Sequence, residues 1–342
     1  MTDITVMGAG IFGLSVAWAC ARRGARVRVI DPHGPGAGAS GGVVGALAPH
    51  VPENWNAKKA FQFESLVMAE AFWAGVEAAG GVSSGYARLG RIQPLADAAA
   101  LGLAQSREVN AAHLWQGKAL WQVVPATGGW CPPSPAGFVI HDTLSARLHP
   151  RRACAALVAA LRSKGAEVVR EGAQEGRILW ATGVAGLAEM SGALGRPIGT
   201  GVKGQAALLA FDARDLPQVF AGGVHIVPHA DGTVAIGSTS ERDFADPTTT
   251  DAQLDEVIAR ARAALPALAD APVILRWAGL RPRARSRAPM LGVHPLHAGA
   301  FIANGGFKIG FGMAPKVAEV MADLMLDGTD RIPVGFRPEE SL

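Results

Sequence analysis

Tyrosine is almost missing from this chain: Tyr86 is the only one in 342 residues. Cysteine is scarce as well. Cys20, Cys131 and Cys154 lie far apart and form no CxxC pair. That spacing argues against a disulfide framework or a zinc site and points to a reducing cytoplasm, with no metal expected. No apolar run reaches the roughly 18 residues that span a bilayer, so no transmembrane segment is expected. The formal net charge of +3 is too small to argue for a nucleic-acid partner. Asp3 and the lack of a basic opening argue against a signal peptide. Arg22-Arg23 follow the first apolar stretch instead of preceding it, which suits the solvated end of a helix and not an export signal.

What the chain has is glycine, 43 residues of it, and 49% apolar residues. The length suits two domains, with ample material for a core. Ile4-Thr5-Val6-Met7 reads as a strand. It runs into Gly8-Ala9-Gly10-Ile11-Phe12-Gly13, then the helix-forming Leu14 to Ala21, then a second strand, Arg26 to Ile30, ending on Asp31. This is the dinucleotide fingerprint in the context it needs. Gly8 makes the tight turn, Gly10 lets the backbone approach a pyrophosphate, and Gly13 brings helix and strand together. The helix N-terminus offers unpaired N–H groups to phosphate. Asp31 stands where a ribose hydroxyl needs an acceptor, and its charge disfavours a 2′-phosphate.

After Asp31 and Pro32 the chain is made of small residues as far as Pro49, including Ala39-Ser40-Gly41 and Gly45-Ala46-Leu47. Such a composition suits a linker, but a loop leaving the ribose strand is better placed to lie against a ligand. Helices are predicted over 58–79, 96–116, 149–162 and 251–264, and a last one ending near Asp327 with Pro315 in its first turn. Strands are predicted over 88–95, 167–170, 177–183, 206–210, 224–228, 233–238 and 300–303. Asp231-Gly232 marks a hairpin turn. A second glycine-rich stretch, Asn304 to Gly312, follows the last strand. α/β units at both ends thus flank a β-rich middle.

Several motifs, in order, resemble the FAD-dependent D-amino-acid oxidase family and most closely its glycine oxidase branch. They are Gly8–Gly13, Ala39-Ser40 through Ala46-Leu47, Leu148-His149-Pro150, Trp180-Ala181-Thr182-Gly183, Val202-Lys203-Gly204-Gln205, Ile226-Val227-Pro228, Gly237-Ser238-Thr239, Trp277 to Pro282, Pro289 to Gly292 and Gly305 to Pro315. The resemblance covers nearly the whole chain. It implies FAD, and an α/β fold with a discontinuous Rossmann-type FAD-binding domain (1–82, 141–198 and 290–342) carrying an inserted β-rich α+β substrate domain (83–140 and 199–289). It implies cofactor contacts from Gly8, Gly10, Ile11, Phe12, Gly13, Asp31, Pro32, Ala39, Ser40, Gly41, Gly45, Ala46, Leu47, Val169, Ala181, Thr182 and Gly183. At the other end of the chain it implies them from Gly305, Gly306, Phe307, Lys308, Ile309, Gly310 and Phe311. Arg281 takes the place of the arginine that grips a substrate carboxylate, a role its planar, permanently charged fork suits. Arg283, Arg285 and Arg287 have no such support and are expected to be mostly surface or structural residues.

Four positions depart from the family pattern: Gly306 replaces a histidine, Lys308 an arginine, His225 a tyrosine and Ser240 a methionine. Lys308, His225 and Ser240 are expected beside the substrate with Arg281, and no protein general base is assigned. The connection between Val169 and Ile178 is short, without the family's extra hairpin. The resemblance implies oxidation of glycine, sarcosine or a small D-amino acid to an imino acid by hydride transfer to flavin N5, with O2 as acceptor giving H2O2. It permits a part in thiamine biosynthesis. Two alternatives use the same pocket logic: an oxidase acting on the carboxymethylaminomethyl group of tRNA wobble uridine, and a quinone-linked amino acid dehydrogenase. A homo-oligomer is compatible with the composition.

Overall fold

The computed structural model describes residues 2–342. The chain opens with β1 (Ile4–Met7), α1 (Ile11–Ala21) and β2 (Val27–Ile30). Then come β3 (Ala46–Leu47), α2 (Ala57–Gly80), β4 (Arg91–Pro94), α3 (Ala98–Leu114), β5 (Trp121–Pro125), β6 (Phe138–Asp142) and β7 (Ala146–Arg147). α4 (Pro150–Ser163), β8 (Glu167–Val169), β9 (Arg177–Trp180) and α5 (Gly183–Leu194) return to the first layer. β10 (Gly199–Ala210), β11 (Gln218–Ala221), β12 (Val224–Pro228), β13 (Thr233–Gly237), α6 (Ala252–Ala264) and β14 (Val273–Ala284) make the second. β15 (Met290–Val293), β16 (Phe301–Asn304) and α7 (Gly310–Ala322) close the chain.

Two sheets result. The first has the order β15-β16-β9-β1-β2-β8 and is parallel except for β15. Its strands come from both ends and the middle of the sequence. The second has the order β14-β10-β13-β12-β11-β4-β6-β5 and is antiparallel except where β11 meets β4. Every residue of α1 is buried. A helix apolar on all sides has no solvent face and is stable only when wrapped. Here α4 and α7 pack on it beside the first sheet, and α2 covers those two in turn. The N-terminal unit therefore cannot be completed until residues more than 290 positions later arrive.

Sequence expectation and structure differ in several elements. The strand expected over 206–210 runs from Gly199, because β10 pairs with β14 along nearly its whole length, with a register shift at Leu208/Leu209. β3, β5, β6, β7, β11, β14, β15 and α5 were not anticipated; β5, β11 and β15 are short and each pairs with the next strand in the chain. Pro315 lies inside α7, beyond its first turn, since the helix already begins at Gly310. The proline leaves the Phe311 carbonyl without its helical donor, and the next amide, that of Lys316, donates to Ser65 Oγ of α2 at 3.2 Å.

One ion pair ties the second sheet together from within. Arg91 Nε donates to Asp142 Oδ2 at 2.9 Å, and the two side chains are 7% and 0% exposed. Asp142 also accepts the Ser145 amide at 2.8 Å. Breaking a buried pair by removing one partner leaves an uncompensated charge. Asp142→Leu is expected to lower stability by about 3–5 kcal/mol in urea unfolding. A loss below about 1 kcal/mol would show that the pair contributes little to β4 and β6.

Candidate active site

The Gly8–Gly13 turn is tied down from three sides. A Cβ on Gly8 would lie 2.4 Å from the Ala181 carbonyl oxygen, and one on Gly13 would lie 2.0 Å from that of Gly8. Strand, turn and helix therefore approach more closely than any side chain permits. Asp31 Oδ2 accepts the Ala9 amide at 2.8 Å and Oδ1 the His33 amide at 3.0 Å. The carboxylate thus fixes the turn and remains half-buried, with lone pairs left for a ribose diol. Ser40 Oγ accepts the Ile11 amide at 2.9 Å. The following amides of the first turn of α1 have no intrahelical partner, and they form an anion seat.

The small-residue loop lies against this turn and is not a free linker. Gly36 donates to the Ala9 carbonyl at 2.9 Å. A Cβ on Gly41 would meet the Gly36 oxygen at 2.3 Å, and one on Gly45 the Leu148 oxygen at 1.9 Å. Ala46 and Leu47 pair with Arg147 and Ala146. Pro32 stands exposed beside Asp31. On the other flank, the Val169 carbonyl accepts the Asp31 amide at 3.1 Å, and the Ala181 amide donates to Met7 at 2.7 Å. Residues 170–176 form a short connection without a strand. Thr182 precedes α5, and Gly183 has φ +59°.

The C-terminal glycine stretch meets the N-terminal one directly. Asn304 Nδ2 donates to the Gly183 carbonyl at 2.9 Å, while its Oδ1 accepts the Gly305 amide at 2.7 Å. A Cβ on Gly306 would lie 2.8 Å from Phe12 Cζ. Phe12 therefore occupies the space that a larger residue at 306 would need. Gly310 starts α7 with Ile11 beside it; a Cβ there would sit 3.5 Å from Ile11 Cγ2. Ile309 and Phe311 are half-buried along the same turn. The positive end of α7 thus faces the same crevice as that of α1.

β14 connects the C-terminal stretch and the small-residue loop to the second sheet. Arg283 pairs with Gly306 as an isolated bridge, and the Phe307 amide donates to the Pro282 carbonyl at 2.9 Å. Phe307 adopts a left-handed φ of +45° to do so, at a cost of about 1–2 kcal/mol. At its other end, β14 places Trp277 against Gly42, where an added Cβ would be 3.3 Å from the indole.

Arg281 lies between these contacts. Its Nη2 donates to Ser238 Oγ at 2.6 Å and its Nη1 to the Thr239 carbonyl at 3.2 Å. The guanidinium covers Gly204, where any Cβ would overlap it. Burial lowers its pKa to about 10, opposed by Glu241, so it stays protonated at neutral pH. Among the described residues, no carboxylate comes within 4 Å of it. Glu241 is instead engaged by Lys203 Nζ at 3.6 Å and Gln205 Nε2 at 3.1 Å. Gln205 also donates to Asp251 at 2.8 Å. This buried network fixes Thr239, whose hydroxyl bonds Glu241 and the Gln205 amide.

His225, Lys308 and Arg281 are brought together. Burial, followed by the charges of Arg91, Lys308 and Arg281, pushes the His225 pKa down to about 4. The ring lies 4.7 Å from that of Phe220, and its buried Nδ1 has no partner among the described residues. Lys308 has its pKa lowered by desolvation, then by Arg281 and Arg283. Ser240 is exposed beside Thr239. Arg285 and Arg287 are exposed, as expected, but Arg283 is half-buried and stands 5.6 Å over the Phe307 ring. Alternation explains this: 281 and 283 share one face of β14. Sequence reasoning missed Arg91, whose partner Asp142 is remote and leaves no local pattern.

These residues fit FAD. Two helix N-termini meet an acid at the tip of β2 and a crevice that glycines keep clear of side chains. Comparison with known proteins agrees. The family model for FAD dependent oxidoreductases (DAO) matches residues 3–324. A glycine oxidase of Pseudomonas aeruginosa is 38% identical over 141 residues, which is 40% of this chain and 39% of that protein. The match thus spans well under two thirds of that relative's length. A glycine oxidase of Bacillus licheniformis is 27% identical over 359 residues, covering 95% of this chain and 93% of that protein. The crystal structure of glycine oxidase from Geobacillus kaustophilus shares the fold, with TM-score 0.84 and 20% identity over 98% of each chain. No helix among the described residues is long and apolar enough to cross a membrane. The chain belongs to the FAD dependent oxidoreductase family, and its cofactor is FAD.

Proposed function

We propose that this protein oxidises the amine of a small amino acid, such as glycine, sarcosine or a small D-amino acid, to the imino acid, with O2 as terminal acceptor and H2O2 as product. The observation that carries this reading is a half-buried Arg281 whose desolvated guanidinium is protonated and has no carboxylate partner, on the strand that also touches the C-terminal glycine stretch and the small-residue loop. The segments 1–82, 141–198 and 290–342 would hold FAD, and 83–140 with 199–289 the substrate. When bound, FAD supplies a two-electron acceptor for the α-C–H bond.

The chain's own residues do the positioning. Arg281 holds the α-carboxylate with its bidentate fork, and Ser238 Oγ and the Thr239 carbonyl hold that fork in place. Lys308 and His225 line the same site and assist. The amine must be neutral to give up hydride. Three nearby cations favour that form by disfavouring an ammonium. Below the site, the Lys203–Glu241–Gln205–Asp251 network keeps Arg281 from collapsing onto an internal acid. Hydrolysis of the imino acid then yields a keto acid and ammonia.

The direct test is anaerobic mixing of the FAD-loaded protein with glycine, sarcosine and D-alanine. At least one is expected to bleach the flavin; bleaching by none removes these three as substrates, and the amino-acid reading falls when aminomalonate and both enantiomers of aspartate also leave the flavin oxidised. Arg281→Met is expected to lower kcat/KM by about 100-fold or more, with flavin content retained, because a desolvated charged hydrogen-bond pair is lost. A change of only a few fold would place the substrate carboxylate elsewhere.

The pH profile tests the role of His225. Its pKa, about 4 against an ordinary 6.5, leaves the ring neutral at neutral and alkaline pH. kcat/KM is expected to rise with pH as the substrate amine loses its proton, with no inflection near 6.5 in wild type or His225→Gln. An inflection present in wild type and lost in the variant would identify His225 as a titrating base. The sign for stability follows. The unfolded chain takes up the proton first, so this group costs stability as pH falls from 6.5 towards 4.

A further inference from the structure

Half-buried Arg281 and Arg283 and exposed Lys308 form a group of three cations whose charges act on one another. Arg281 and Arg283 share a face of β14. Arg283 and Lys308 both lie 5.6 Å from the centre of the Phe307 ring, and the Gly306 backbone bridges to Arg283. None of the three has an ion-pair partner among the described residues, although sixteen such contacts exist elsewhere in the molecule. Glu241, the carboxylate whose charge acts on Arg281, is already engaged by Lys203 at 3.6 Å. His225 is half-buried, and its ring feels the charges of Lys308 and Arg281.

A simple amino acid with a neutral amine brings one negative charge. Arg281 neutralises it, which leaves Arg283 and Lys308 repelling each other without an anion between them. The electron-rich side of a reduced flavin has its own positive group in the N-terminus of α7 at Gly310. Two cations therefore remain without a counter-charge. Resting on the amino-acid reading above, we propose that the substrate class is an amino acid with a second carboxylate, whose α-carboxylate meets Arg281 while the other meets Lys308 and Arg283. This reassigns Lys308 from assisting Arg281 to selecting the substrate.

The test needs no turnover. The oxidised, FAD-loaded protein is titrated with acetate, propionate, malonate and succinate, and binding is followed by perturbation of the flavin spectrum. At least one dicarboxylate is expected to bind about tenfold or more tightly than its monocarboxylate counterpart. Lys308→Met and Arg283→Met should each bring that ratio towards one, and Lys308→Arg should retain it. Equal affinity for the two classes overturns the proposal, as does a ratio untouched by both Met variants. In parallel, anaerobic flavin reduction is compared for glycine, sarcosine, aminomalonate and both enantiomers of aspartate. Bleaching by glycine or sarcosine together with equal affinity for the anions would sink the dicarboxylate proposal and leave the amino-acid reading standing. No bleaching by any of them would sink both.

Discussion

The structure depends on one seam. The end of β14, at Pro282 and Arg283, is hydrogen-bonded to Gly306 and Phe307 of the C-terminal turn. That turn in turn packs on Phe12 of the N-terminal one. Through this seam the two sheets meet, and Arg281 and Arg283 come to stand beside the glycine-lined crevice. The approach is closer than side chains allow, which is why glycine occupies these positions. Phe307 accepts an unfavourable backbone angle to complete the contact, and such strain persists only where surrounding structure imposes it.

Electrostatics follow from this geometry. A guanidinium buried with only neutral oxygens for partners is costly, and desolvation shows in the lowered pKa of Arg281. An internal carboxylate would relieve that cost but would compete with a substrate. The fold places Glu241 nearby and commits it to Lys203, Gln205 and the Thr239 hydroxyl. Arg281 thus keeps its charge and its unused donors. The arrangement leaves a desolvated charge without a counter-ion, which costs stability, a balance common at functional sites.

The departures from the family pattern acquire physical reasons. A side chain at Gly306 would collide with Phe12 and approach the Gly310 Cα within 3.0 Å, so the histidine expected there has no room. With His225 in place of a tyrosine, the site holds a neutral imidazole beside cations and not a phenol. The short 170–176 connection leaves the Asp31 flank covered mainly by the end of β8, through the Val169 carbonyl. Each change alters one wall of the crevice and leaves the seam intact.

The cofactor half was legible in the linear order of residues. A glycine turn, its flanking strand and helix, and an acid at the end of the next strand act through local backbone geometry, which neighbours in sequence decide. Arg281 was legible through its motif, because Trp277 to Pro282 carries its own spacing. Tertiary structure alone decided the rest. Pairing with β14 extended β10 to Gly199, and the Asp142 partner of Arg91 lies 51 residues away. The unpaired state of Arg283 and Lys308 likewise could not be read from order, since it depends on where every acid ends up. Local interactions are written in local sequence, whereas a charge without a partner is a property of the whole fold.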